Sequence, residues 1–389
     1  MEWWEELRTH FPVTQMCTYM DSAYDCGGSL IGKAAAARYF DDWADAASKA
    51  LRGGPGREPF FRQVDETKEY LGQLLGGVNA KNIALTKNTN EGISSVVMGF
   101  DYKPGDNIVT LDLEYPSVVM PCLNAQKLRG VDIKLARLGE DKLIPVDLIW
   151  AQVDDCTVMV LVSHVQSSTG YKIDIQELAR RCNARGIFLV VDAIQSLGLN
   201  VCDAKAWGIS AVVAAGYKAL GAFISIGFLY CSDALLERVW PVYVSQSFGM
   251  DIDTHTFPPQ LLCPDPRAAS KLQNDSSDLL GAYILHDSVE KILSIGIDKI
   301  SAHISELYEQ LYDGLTQLGY RIITPRNAEN RCASIVVDTP NAKQIADNYL
   351  SHGVVLCGHG ESLRFSIGAY TNKQDMEKTL AVAGICPLR

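Results

Sequence analysis

The chain has 389 residues, 47% of them hydrophobic and 21% charged, which describes a folded protein too long for one ordinary core and predicts two domains. Its 35 basic and 46 acidic residues leave a formal net charge of −11 without long charge runs, which argues against a nucleic-acid or anionic-membrane partner.

The opening MEWWEELRTHFP is acidic and amphipathic, unlike a signal peptide, and no run approaches the length of a membrane span. The 11 cysteines are scattered, with no CxxC pair and no clustering with histidine, which predicts reduced cytoplasmic usage rather than a disulfide framework or a metal site. From about residue 60 to 240, amphipathic helical stretches alternate with short apolar runs, the pattern of βαβ units around a mostly parallel sheet. Strands are expected at 82–86, 107–111, 131–136, 157–163, 187–192, 210–215 and 226–231, with helices such as 117–129 and 175–185 between them. Ligands of such sheets gather beyond the carboxyl ends of the strands. Thr86, Ser163, Asp192 and the approach to Lys218 all fall there.

The stretch from about 242 to 271 is rich in proline and turn formers and reads as a long ordered loop or lid, since a loop of this length inside a compact domain is uncommon unless functional. Two long helices are expected at 278–294 and 298–318, followed by a smaller α/β unit. No internal repeat interrupts the chain.

Three groups of residues point to chemistry. Lys218 follows one apolar strand and lies 26 residues after Asp192, which ends another. A partly buried amine sheds its proton more readily, and a carboxylate at the neighbouring strand end suits the ring nitrogen of a pyridine cofactor. Gln195 stands three positions after Asp192, where both can face one ring. In TKNTNEG (86–92), Asn88, Thr89 and Asn90 mark a helix start, which serves equally as a plain cap or as a phosphate site. Arg364 in SLRFS places a planar fork in an apolar strand, a match for a carboxylate or for a structural ion pair.

The block VVDAIQSLGLNVCDAKAWGISAVVAAGYKAL (190–220), with TYMDSA (18–23) and LRFSIGAYTNKQDMEKTL (363–380) at the two ends, resembles the class V aminotransferases, a fold type I pyridoxal-phosphate family that includes cysteine desulfurases, cysteine lyases and isopenicillin N epimerase. The resemblance implies a large cofactor-binding domain over 18–277, with a mostly parallel seven-stranded sheet, and a smaller C-terminal α/β domain over 278–389, with residues 1–17 packed near it. It implies pyridoxal 5'-phosphate bound by Lys218 as a Schiff base, Asp192 on the pyridine nitrogen, Gln195 on the phenolic oxygen and Asn88, Thr89 and Asn90 around the phosphate. Tyr115 in EYPS stands where the desulfurase branch has histidine and would stack on the ring, and Tyr217 replaces a common histidine beside the lysine. His164 in SHVQSSTG is expected near the phenolic oxygen and the substrate, with a catalytic role beside Lys218. Arg364 would bind the substrate α-carboxylate. A homodimer with its site at the interface is implied, Ser276 in KLQNDSSD completing the partner's phosphate cup, although Asp275 puts a negative charge beside it.

The stretch LCGHGESLR (356–364) is too short to hold the extended loop that carries the persulfide cysteine of one desulfurase branch, so Cys357 reads as core or pocket wall. The expected reaction is therefore β-elimination from an S-substituted cysteine, with transamination as the alternative and racemisation or decarboxylation as further outcomes. A role in specialised biosynthesis, the 242–271 loop enclosing a bulky substrate, is a further expectation. A non-catalytic module is disfavoured because lysine, aspartate, glutamine and arginine are all retained.

Overall fold

The computed structural model describes residues 2–49, 55–244, 251–253, 258, 260–263, 265–274 and 278–385. Seven short apolar runs form the central sheet: β1 (Ile83–Thr86), β2 (Asn107–Leu111), β3 (Asp132–Ala136), β4 (Thr157–Ser163), β5 (Phe188–Asp192), β6 (Ala211–Ala215) and β7 (Gly227–Cys231). Their order across the sheet is β1-β7-β6-β5-β4-β2-β3. Strands β2 to β6 pair in parallel, and β7 runs antiparallel to both β1 and β6. Strands β1, β2, β6 and β7 are buried along their whole length, and β4 and β5 at all but one residue each, which explains why they read as continuous apolar runs rather than as alternating ones.

Because β1 and β6 both oppose β7, they point the same way as β5 and β4. The carboxyl ends of β1, β4, β5 and β6 therefore share one edge, and the 216–226 segment joining β6 to β7 crosses it.

Helices cover the sheet: α1 (Leu30–Ser48), α2 (Glu58–Leu74), α3 (Thr89–Gly99), α4 (Pro116–Arg129), α5 (Ile175–Ala184), α6 (Leu279–Ile295) and α7 (Ile297–Gln317). Helix α6 packs on α1 and α2. Helix α4 starts with proline at its first turn and stops at Gly130, whose φ of 71° closes it in the left-handed region. Gly92 lets α3 lie on the sheet, since a Cβ there would stand 2.5 Å from Val213 Cγ1. Within 242–271 the described residues form a small antiparallel pairing, Asp251–Asp253 with Gln260–Leu262, and a 3-10 turn at Ala269–Leu272.

C-terminal to α7, the strands β8 (Ser334–Asp338), β9 (Cys357–His359) and β10 (Ser362–Ser366) make an antiparallel sheet ordered β8-β10-β9. The N-terminal segment reaches this part of the molecule: Thr18–Tyr19 pairs in parallel with Val354–Val355, Asp21 bridges to Ser366, and Arg8 forms a 2.6 Å ion pair with Asp375. Among the described residues no helix is long and apolar enough to cross a membrane.

Candidate active site

A cavity of about 370 Å³ opens at the shared strand edge. Asp192, Gln195, Tyr217 and Lys218 line it together with Asn88, Thr89, Asn90 and Tyr115. The structure thus brings together eight of the residues singled out in the sequence.

Lys218 is buried, and its Nζ stands 5.9 Å from the Tyr115 ring centroid and 5.7 Å from that of Tyr217. Burial, helped by the charge of Arg364, holds its pKa below the usual lysine range. Asp192 is buried at the end of β5 and accepts a 3.0 Å hydrogen bond at Oδ1 from the Ile194 N–H. Burial holds this carboxyl above its ordinary range, against the opposing pull of Ile194 and Lys218. Both groups thus lean toward neutrality, a condition that a bound cationic ring nitrogen would reverse for the acid. Gln195 donates from Nε2 to the Ala23 carbonyl at 3.2 Å, which ties TYMDSA to the cavity wall.

Asn88 caps α3, its side chain accepting from the Glu91 N–H at 2.9 Å. Thr89 begins the helix with a buried hydroxyl that has no hydrogen-bond partner among the described residues. A buried polar atom is normally satisfied, and this one sits among the unpaired amides of a helix N-terminus. A phosphate would supply what it lacks, so the cavity fits pyridoxal 5'-phosphate: Thr89 could hold the phosphate, Asp192 the ring nitrogen and Lys218 the aldehyde carbon. A Thr89→Val protein should bind the cofactor about ten- to a hundredfold more weakly, a hydrogen bond to a charged group being worth about 1.5–3 kcal/mol. Its cofactor-free form should melt no lower than the parent. Titration of the two apoproteins with cofactor, alongside thermal melts, checks this; unchanged affinity with a lowered melting point would make the hydroxyl merely structural.

His164 is a correction. Its ring lies in a separate cavity of about 710 Å³, with Tyr171, Lys172 and Trp207, and meets Trp207 edge-on at 6.4 Å. Burial pushes its pKa down to about 3. Side chains alternate along extended chain, so Ser163 and Val165 face Lys218 and His164 faces away. It touches neither Lys218 nor the rest of the cofactor cavity, and a catalytic part for it is dropped. Ser276 and Asp275 lie outside the described residues.

Arg364 reaches the rim rather than the cavity itself. Its guanidinium donates to the Ser167 carbonyl at 3.3 Å, and Ser167 lines the cavity. Two residues went unnoticed in the sequence. Ser167 is the third residue facing inward from Ser163, and counting by twos along SHVQS would have found it. Glu114, just before Tyr115, is buried and accepts from the Ser163 N–H at 2.8 Å, the Ser163 hydroxyl at 2.6 Å and Gln166 Nε2 at 2.6 Å. Burial pushes its carboxyl up to about 7. It ties the start of α4, and so Tyr115, to the end of β4.

The aminotransferase class-V model matches residues 34–379. The chain belongs to the class V aminotransferases. These are pyridoxal-phosphate enzymes, in keeping with the cavity's three anchor points. The "Probable cysteine desulfurase" of Methanothermobacter thermautotrophicus is 26% identical over 310 residues, 79% of this chain and 74% of that protein. "Probable cysteine desulfurase 2" of Mycobacterium leprae is 30% identical over 309 residues, 75% of this chain and 72% of that one. Among solved structures, the apo cysteine desulfurase from Thermococcus onnurineus NA1 superposes with a TM-score of 0.87 at 21% identity, over 98% of this chain and 97% of its own. The cystine C-S lyase C-DES, solved in complex with its product cysteine persulfide, gives 0.84 at 17% identity, over 97% of this chain and all (100%) of its own. Both likenesses establish the fold.

Proposed function

We propose that this class V enzyme is a C–S lyase that eliminates the sulfur substituent from an S-substituted cysteine. The observation that favours elimination over sulfur relay is the placement of Cys357. It pairs across the strand with Arg364 on the three-residue strand β9, half-buried, and burial raises its thiol pKa. A persulfide-forming cysteine needs an accessible thiolate, and this one is neither free to swing nor readily ionised.

When bound, pyridoxal 5'-phosphate supplies an electron sink for the negative charge that develops at the substrate Cα. The residues would do the rest. Arg364 would grip the α-carboxylate and fix which Cα bond stands over the ring. Lys218, an amine that burial makes easier to deprotonate, would take the α-proton. Departure of the β-substituent as a thiol, followed by hydrolysis, gives pyruvate and ammonia. Tyr115 would cover one ring face, and Asp192 would hold the ring nitrogen's proton.

Tyr24, Tyr115 and Ile224 line the cavity yet are 68%, 52% and 64% exposed, an apolar rim that a second copy of the chain would cover. That rim supports the reading of a homodimer with its site at the interface. A cytoplasmic location accords with the described cysteines, all of which are free thiols.

The test is product analysis over a panel of S-substituted cysteines. Elimination should yield pyruvate and the free thiol in equal amounts without added 2-oxo acid, and Cys357→Ser should keep at least half of the rate. Amino transfer that requires a 2-oxo acid would replace this reading with transamination. Loss of sulfur release in Cys357→Ser would restore the relay.

A further inference from the structure

Arg364 is a largely buried cation with poor company. Of its donors, one reaches the Ser167 carbonyl at 3.3 Å and one reaches Asp21 Oδ1 at 3.5 Å, while its Nε is buried without a partner. Both contacts are long and single, where a carboxylate facing a guanidinium can make two parallel short ones. The Asp21 and Arg364 side chains are only 15% and 13% exposed, so each charge has little access to water.

Their meeting is built into the backbone. Asp21 sits in the segment whose Met20 carbonyl accepts from the Ser366 N–H at 2.7 Å, two residues along β10 from Arg364. Asp21 also lies near enough to Lys218 for the two charges to interact. One carboxylate thus stands beside both cations that an incoming amino acid would meet.

We propose that Asp21 is a positioning residue that occupies Arg364 between turnovers, compensating its charge through a deliberately weak one-point pair that the substrate's α-carboxylate displaces with a two-point one. An isolated buried guanidinium would be costly, and a well-formed internal pair would shut substrate out; the 3.5 Å contact lies between these. This rests on the carboxylate-binding role proposed above for Arg364.

Binding of 3-(methylthio)propionate to the holoenzyme, followed by calorimetry and by perturbation of the cofactor absorption, tests it, with 3-(methylthio)propan-1-ol as the uncharged control. Asp21→Asn should bind the propionate about fivefold more tightly, as expected when one competing partner of an ion pair is removed. The alcohol should bind equally to both proteins, and Asp21→Glu, which keeps the charge, should bind the propionate like the parent. In an Arg364→Gln background, the Asp21→Asn effect should vanish. If Arg364→Gln weakens the propionate but Asp21→Asn does not strengthen it, the displaced pair is wrong while Arg364 remains the carboxylate site. If Arg364→Gln leaves the propionate unaffected, both assignments fall.

Discussion

A Lys218→Ala protein is expected to fold, to lose the visible absorption of covalently held cofactor, and to turn over its amino acid about 10⁴-fold more slowly, since the proposed roles make one side chain both anchor and proton carrier. The lysine sits in the segment after β6, buried, beside Tyr115 and Tyr217. Burial disfavours its charged form, so its pKa falls and its neutral fraction near pH 7 rises. The sign of the pH dependence follows: in the cofactor-free protein, acylation of this amine by a small electrophile should accelerate as pH rises and level off below the range of an exposed lysine. Absorption spectra, single-turnover rates and that reactivity profile check the three parts separately. A variant that stayed coloured and active would move the chemistry to another residue.

Asp192→Asn should give the second-largest loss. The carboxylate stands at the end of β5, paired in register with Ser163 on one side and Val213 on the other, and makes one hydrogen bond, from Ile194. Asparagine keeps the size and can keep that bond, but it removes the negative charge proposed to face the ring nitrogen. Removing one preorganised electrostatic contact from a closed site costs about 10²- to 10³-fold in rate. Unlike Lys218→Ala, this protein should retain covalent cofactor, so colour persists while turnover falls. A rate within threefold of the parent would mean that the acid's charge is not used.

The sheet was legible because its strands, the edge strand β3 apart, are buried on both faces and separated by amphipathic helices, a contrast that survives without tertiary information. The small discrepancies are local. Asn82 belongs to a 3-10 turn, where its side chain reaches the Cys231 carbonyl, and Ile187 closes the end of α5 by donating to the Cys182 carbonyl. Each therefore precedes its strand rather than beginning it. At the site, Lys218, Asp192, Gln195 and the 88–90 helix start were legible because each abuts a strand end. His164 was misread because nearness to a strand end says nothing about which face a side chain takes, and Glu114 was missed because a lone acid gives no sign of the three donors that three-dimensional packing aims at it. The Asp21–Arg364 pair spans almost the entire chain, and no local pattern announces it.

The reversal of β7 has a mechanical result. Lys218 lies not on a long crossover but inside a bracket between neighbouring strands, closed by the Gly216 N–H on the Ile226 carbonyl at 2.8 Å and the Ala222 N–H on the Gly216 carbonyl at 2.9 Å. Ser225 completes it at a φ of 85°, a left-handed conformation that serine adopts at some cost. The helical crossovers elsewhere can gain or lose residues on the outer surface while their strands stay in register. One residue added within this bracket would swing the amine away from the cavity that Asp192 and Tyr115 line, so the lysine proposed to be catalytic is indexed to the sheet like a tooth on a gear.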